Sequence, residues 1–272
     1  FEYRPVEKIM NNEIKTSKNI PDCPEADKTY RFSAARIVYK LYKWLIFIPF
    51  LCLNTLVLGS LSIMLAMVFN ARIGMKLAGN PWAKLNCLAA LVFVKVRNKK
   101  NILPGQSYVV VANHQSLFDI PALAGWLDID LRWVAKASLK KVPMFGIASV
   151  KMEHIFIDRS NPHAAIETLE NAKERIVNGT SVMFFPEGTR SSDGHLKAFK
   201  TGAFKMALDL GIPILPVTIR GTRSILPSGT MDLFPGKAEI VIHPQINVDH
   251  YSHDSIIDLI QKTRTEIKSD LF

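Results

Sequence analysis

Acidic residues are missing from a third of this chain. Between Lys28 and Phe118 there is no aspartate or glutamate, yet the stretch holds twelve lysines and arginines. The 272 residues as a whole carry 34 Lys+Arg against 24 Asp+Glu, a net +10. The basicity therefore belongs to one region and is not a general property of the surface. Cysteine is also scarce. Cys23, Cys52 and Cys87 show neither paired nor metal-ligand spacing, which excludes a disulfide framework and a zinc site of the usual kind. There is no G-x-S-x-G nucleophile elbow, no phosphate-binding P-loop, no G-x-G-x-x-G fingerprint and no H-E-x-x-H. Internal repeats and low-complexity segments are absent as well.

What the acid-free region does contain is the longest apolar run. Residues 44–69, WLIFIPFLCLNTLVLGSLSIMLAMVF, include no charge, and they exceed the ~20 residues a helix needs to cross a hydrocarbon core. Tyr39, Tyr42, Lys40 and Lys43 stand before the run, and Arg72 and Lys76 follow it. Such aromatic and basic collars suit membrane interfaces. A second run, residues 85–94, is too short to span. Basic residues combined with long apolar runs favour anionic lipid over nucleic acid as the partner. Positive charge on both sides leaves orientation open, and Pro49, Asn54, Gly59 and Ser60 could bend the first helix. The two runs then read as a paired helical anchor sunk into one leaflet, with a single true crossing as the alternative. The run is too long and starts too late for a cleavable signal peptide. Residues 30–98 are accordingly expected to anchor the protein. Residues 1–29, polar and mixed in charge with Pro21 and Pro24, read as a flexible leader.

From Lys99 onward, residues 99–272 alternate in pattern. Strands are expected at residues 107–112, 131–135, 154–158, 181–185, 213–219 and 237–243. Helices are expected between them. One is capped by Asn161, opened by Pro162 and stopped at Gly179; others cover residues 201–210 and 254–270. The fold class is α/β, a mainly parallel or mixed sheet flanked by helices behind an N-terminal membrane-anchoring segment. In such sheets ligands gather beyond the carboxyl ends of the strands.

Three expected strand ends carry polar clusters. The first is Asn113-His114-Gln115-Ser116-Leu117-Phe118-Asp119. Side chains five apart diverge on a helix and lie on opposite faces of a strand. If His114 and Asp119 cooperate, the chain must turn between them. The second cluster runs from Ile155 to Arg159, and the third is Phe185-Pro186-Glu187-Gly188-Thr189-Arg190-Ser191. Both place an arginine, whose planar fork suits phosphate oxygens, just beyond an apolar strand. Lys136 marks a fourth strand end, and Gly188 would let backbone approach a ligand closely. Ser116, without an elbow, is a weak nucleophile candidate. A histidine and an aspartate with no protein nucleophile suit direct attack by a substrate hydroxyl, the histidine taking the proton and the aspartate holding its other ring nitrogen.

In these blocks the sequence resembles the glycerolipid acyltransferases, especially those acting on 1-acylglycerol-3-phosphate. The histidine, four residues, then aspartate of their first block matches His114 and Asp119. Their second resembles residues 155–159, and their third is matched almost letter for letter by FPEGTRS at residues 185–191. A proline-containing apolar block resembles Ile212-Pro213-Ile214-Leu215-Pro216-Val217, and Ala198-Phe199-Lys200-Thr201-Gly202-Ala203-Phe204 is also typical. The resemblance covers about residues 99–248. It implies acyl transfer from acyl-CoA or acyl carrier protein to the 2-hydroxyl of lysophosphatidic acid, with no metal or other cofactor. His114 is then the base and Asp119 its orienter. Arg159, Glu187, Gly188 and Arg190 belong to the acceptor-binding blocks, and Lys136 is a further phosphate candidate. Pro213 and Pro216 are expected to shape a strand end. The implied location is a membrane, the bacterial inner membrane, with the active site facing the cytoplasm and membrane lipids as partners. A sister enzyme using another lysolipid or glycerol-3-phosphate, or a noncatalytic lipid-binding protein of the same fold, are the competing readings.

Overall fold

A computed structural model describes residues 34–158 and 160–271. The leader expected at residues 1–29 and the candidate Arg159 lie outside the described residues. Apart from the first turn of its leading helix, the architecture below belongs to one compact unit, Ile37–Phe272.

The leading helix comprises α1 (Ala34–Tyr42), a π-type turn at Lys43–Phe47, and α2 (Ile48–Val68). Pro49 cannot donate to the carbonyl four residues back, and the wider turn just before it absorbs that mismatch. Among the described residues Ile37–Val68 is the one helix long and apolar enough to cross a membrane, by length and composition. Only 17% of its most apolar window is buried inside the protein, which excludes an ordinary core helix. Leu53, Leu56, Val57, Met64 and Met67 are each more than half exposed.

The inner side of α2 is polar. Asn54 Nδ2 donates to Asn86 Oδ1 at 3.0 Å, and Trp82 Nε1 donates to Thr55 Oγ1 at 2.9 Å. The chain reaches these partners through α3 (Ala71–Gly74) and a second π-type turn, Met75–Gly79; they sit on α4 (Asn80–Ala89). Side-chain hydrogen bonds of this kind join helices where lipid offers no hydrophobic drive for association. Tyr39 and Tyr42, expected as an interfacial collar, instead donate their hydroxyls to the Ala90 and Ala89 carbonyls at the end of α4 (2.8 and 2.7 Å). The apolar run at residues 85–94, expected as one helix, is divided. Its first half ends α4; after Leu91, at φ 56°, the chain enters an edge strand, β1 (Val92–Arg97). Each piece turns part of the run to the core, at Cys87, Ala90 and Val92, while Leu85, Leu88, Leu91 and Phe93 stay exposed. The sheet thus begins before Lys99.

Six further strands fall close to the expected positions: β2 (Val109–Ala112), β3 (Asp130–Lys136), β4 (Ile155–Ile157), β5 (Thr180–Phe184), β6 (Ile214–Arg220) and β7 (Gly236–Ile242). The helices that follow α4 are α5 (Asp119–Trp126), α6 (Phe145–Lys151), α7 (Pro162–Ala172), α8 (Gly202–Leu210), α9 (Thr222–Ile225) and α10 (Ile256–Ser269). The helix expected to reach Gly179 breaks up at Ile176, a fully buried core residue that ends a short 3-10 turn. Asn161 caps α7 as expected, accepting from the Ala164 N–H.

The strand order is β1-β7-β6-β2-β5-β3-β4. Every pairing is parallel except β6 with β7, so the sheet is mixed. Alternation sorts the central strands. Val109 and Val111 face α7, α8 and α10, whereas Val110 and Ala112 face α4 and α5. β2 lies between β5 and β6, and its carboxyl end opens where the connections diverge, the crevice position for a ligand.

Asn113 extends this central strand by side chain. Its Nδ2 donates to the Ile219 carbonyl at 2.9 Å, and its Oδ1 accepts the Ile219 N–H at 2.8 Å. Asn113→Ala leaves both buried groups unpaired, at about 1–3 kcal/mol each. The expected outcome is a melting temperature lowered by about 4 °C or more in detergent; an unchanged melt would show that this pairing contributes nothing.

Candidate active site

The turn from β2 into α5 brings the first expected pair together. His114 Nδ1 lies 2.7 Å from Asp119 Oδ2. Asp119 is the first residue of α5 and is fully buried. Its Oδ2 also accepts the backbone N–H groups of Gln115 and Ser116, at 2.7 and 2.9 Å. One carboxylate oxygen thus ties the turn and orients the imidazole. With Nδ1–H given to Asp119, Nε2 carries the free lone pair, the state a general base requires. The ring itself retains 13% exposure. It stacks on Phe185, with centroids 3.9 Å apart and planes 13° from parallel, an arrangement that also favours a developing imidazolium.

Ser116 is not placed to act as a nucleophile. It is completely buried, donates its hydroxyl to the Leu226 carbonyl at 2.8 Å, and accepts the Phe118 N–H at 3.1 Å. It builds the turn.

The third expected cluster supports the first. Glu187 Oε1 accepts the His114 N–H at 2.7 Å, and Oε2 accepts the Lys197 N–H at 3.0 Å. From the other side the Ser191 N–H donates to the His114 carbonyl at 2.8 Å. Glu187, expected among the acceptor-binding residues, is therefore a buried brace beneath the site. Both its oxygens are occupied and its charge would repel a phosphate. Burial pushes its carboxyl upward, opposed by the two backbone hydrogen bonds. Gly188 adopts φ 73°, and the Lys200 side chain lies close over its Cα. A side chain there would meet Lys200 and strain the backbone.

Arg190, three residues on, is half-buried, and among the described residues no carboxylate pairs with its guanidinium. Its carbonyl accepts Lys197 Nζ at 2.7 Å, which fixes the backbone on which it stands. Lys136 is exposed at the end of β3. The structure thus brings His114, Asp119, Glu187, Gly188 and Arg190 to adjoining strand ends, with Lys136 two strands away from His114 on the same side. Sequence reasoning passed over Phe185 and Asn113. Each directly precedes or belongs to a recognised block, but nothing in the pattern announces a ring stack or a strand-mimicking amide.

A mostly apolar cavity of about 200 Å³ leads away from His114. Leu58 and Gly59 of α2, Phe145 and Met152 around α6, and Trp133 and Phe156 of the sheet line it. His154 lines it too. Burial, then the nearby Arg132 charge, lowers the His154 pKa to about 3, with Asp130 opposing; what surface the ring keeps faces this cavity.

Residues 93–220 match the Acyltransferase family. A 1-acyl-sn-glycerol-3-phosphate acyltransferase of Chlamydomonas reinhardtii is 35% identical over 186 residues, covering 65% of this chain and 55% of that protein. One from Pseudomonas aeruginosa is 28% identical, covering 83% of this chain and 89% of that protein. The crystal structure of the 1-acyl-sn-glycerophosphate acyltransferase PlsC from Thermotoga maritima superimposes with a TM-score of 0.71 at 28% identity, covering 87% of this chain and 95% of that one. The likeness to the acyltransferase family is carried by residues 93–220, within a chain whose fold matches that crystal structure over most of its length. The chain spans about half the length of the algal relative and less of two chloroplast proteins, 40% and 39%.

The half-buried His154 yields a stability prediction. Its folded pKa lies below the unfolded value of 6.5. Between pH 6.5 and about 3 the unfolded chain takes up a proton that the folded protein does not, so stability falls with falling pH. The contribution is about 1.4 kcal/mol per pH unit within that window. Denaturant melts of the wild type and of His154→Leu at pH 6.5 and 4.5 should show a shallower pH dependence in the variant. Equal pH dependence would place the sensitivity elsewhere.

Proposed function

We propose that this protein transfers a fatty acyl group from acyl-CoA or acyl carrier protein to the 2-hydroxyl of 1-acylglycerol-3-phosphate, forming phosphatidic acid. The observation that carries the reading is the His114–Asp119 contact at a strand end, with Nε2 left free beside an apolar cavity. His114 takes the proton of the acceptor hydroxyl as its oxygen attacks the thioester carbonyl. Asp119 stabilises the imidazolium that forms. The tetrahedral intermediate collapses, the thiolate leaves, and the proton passes from His114 to the departing sulfur. The sequence balances without a metal or a covalent acyl-enzyme. Arg190 is assigned to the acceptor phosphate, with Lys136 and Arg159 as further candidates. The cavity takes an acyl chain.

The names of the relatives support the acceptor class, and the exposed apolar helix supports action at a membrane surface. A lipid acceptor and a water-soluble thioester donor meet most readily there. We place the active site on the cytoplasmic side of the bacterial inner membrane, where such donors are made.

Two outcomes test the mechanism. His114→Ala should lower turnover by about 10²–10⁴-fold with the protein still folded, and Asp119→Asn should also be severe through loss of the required tautomer. Near-normal turnover in either would rule out the general-base pair. Arg190→Ala should raise the KM for lysophosphatidic acid by about 10–100-fold, the equivalent of a charge-assisted bond of ~1.5–3 kcal/mol, and leave the donor KM unchanged. Equal effects on both substrates would remove Arg190 from the phosphate. Labelled acyl-CoA offered with a panel of lysolipids decides the acceptor, since label appearing only in another phospholipid overturns the assignment to phosphatidic acid.

A further inference from the structure

We propose that α6 and the turn before it form a second lipid-seated surface, docking on an anionic bilayer beside the N-terminal helix. The sequence did not single out this segment. Its exposed face carries Val142, Ile147 and Val150, between 42% and 56% accessible. Ile147 and Val150 are one helical turn apart and share a face; neither lines the cavity, whose wall from this element is Phe145, Ala148 and Ser149. The branched apolar side chains therefore point away from the substrate space and cover nothing in the protein.

Charge singles out the occupant. Lys140, Lys141 and Lys151 surround the apolar face, all exposed, and residues 136–152 contain no aspartate or glutamate. None of these lysines has an ion-pair partner among the described residues; Lys140 lies over the Phe156 ring at 5.2 Å. Branched apolar side chains set among unpaired lysines suit an acyl–headgroup boundary of anionic lipid. Position agrees with charge. α6 adjoins α2, with Met144 against Gly59 and the Ser60 hydroxyl 3.9 Å from the Met144 sulfur. Its apolar face continues the exposed apolar surface of the helix read as the anchor. The cavity is walled by both elements, so the seam between them lies against the bilayer. An acidic acyl carrier protein would also meet the lysines but has no use for three exposed branched side chains, and it is kept as an outcome of the test.

The test uses the full-length protein lacking its three native cysteines and carrying one environment-sensitive fluorophore at Ile147→Cys or Val150→Cys. Leu53→Cys on α2 reports the anchor, and Glu167→Cys on α7 reports water. The proteins are reconstituted in phosphatidylglycerol-containing vesicles with doxyl-labelled lipid as quencher. The expected result is blue-shifted, lipid-quenched emission at 147 and 150, approaching that at 53 and unlike that at 167. Replacing the anionic lipid with a zwitterionic one should weaken quenching at 147 and leave 53 unchanged. Water-like emission at both 147 and 150 overturns the proposal, whatever position 53 reports. A response at 147 to added acyl carrier protein and not to lipid quencher overturns it equally. Failure at position 53 would separately refute the anchor, and none of these readouts depends on the acceptor assigned above.

Discussion

The contact between His114 Nδ1 and Asp119 Oδ2 imposes the constraint from which the rest of the site follows. Residues five apart cannot meet on one helix or one strand, so the chain must leave β2 before it enters α5. A tight turn exposes backbone donors that burial makes costly to leave unpaired, at about 1–3 kcal/mol each. Asp119 meets two of those demands itself, and Ser116 and Glu187 meet two more. The His114–Asp119 pair and the structure of the turn are therefore one arrangement. Its cost is visible at Asp119 Oδ1, which is buried without a hydrogen-bond partner among the described residues.

Within FPEGTRS a buried carboxylate, Glu187, and a half-buried guanidinium, Arg190, stand three residues apart. Glu187 points into the protein and clamps His114 by its N–H, while Ser191 clamps the same residue by its carbonyl. Arg190 stands between them on a backbone pinned by Lys197. The left-handed Gly188 permits this reversal of direction, since a residue with Cβ at φ 73° would be strained there. Under the proposed function, this loop would hold the acceptor phosphate at Arg190 in fixed relation to His114, as positioning a hydroxyl against Nε2 demands.

The central strands and the His114–Asp119 pairing were legible because each signal is local: short apolar runs, a proline and an asparagine at a helix start, a histidine and an aspartate on either side of a turn. Features made by distant segments were not legible. β1 hid inside an apolar run because a helix end and an edge strand, each with one buried face, look alike when contiguous. Glu187 reads as a functional acid until its two oxygens are seen to meet backbone N–H groups 73 and 10 residues away. α6 escaped notice because its seven residues, FGIASVK, show too little periodicity to register. Tyr39 and Tyr42 had the composition of a membrane collar, but their hydroxyls were committed to α4.

The same helix, α4, links the membrane to the chemistry. On one side it receives the hydrogen bonds of α2; on the other it packs on α5 so closely that a Cβ at Gly125 would fall 3.0 Å from the Lys84 side chain and 3.3 Å from the Lys84 nitrogen. Asp119 therefore stands on α5, one helix removed from α2, with α4 between them. In water the anchor would be untenable. Twelve large apolar side chains between Ile37 and Val68, including Ile37, Leu45, Leu53 and Met67, lie more than half exposed, and at ~1.5–3 kcal/mol for each full burial their transfer out of water is on the order of 15 kcal/mol or more. That rivals the ~5–15 kcal/mol net stability of a typical domain. On the membrane location proposed above, lipid covers this surface, and the packing of α2 on α4 and of α4 on α5 ties the depth of α2 to that of His114.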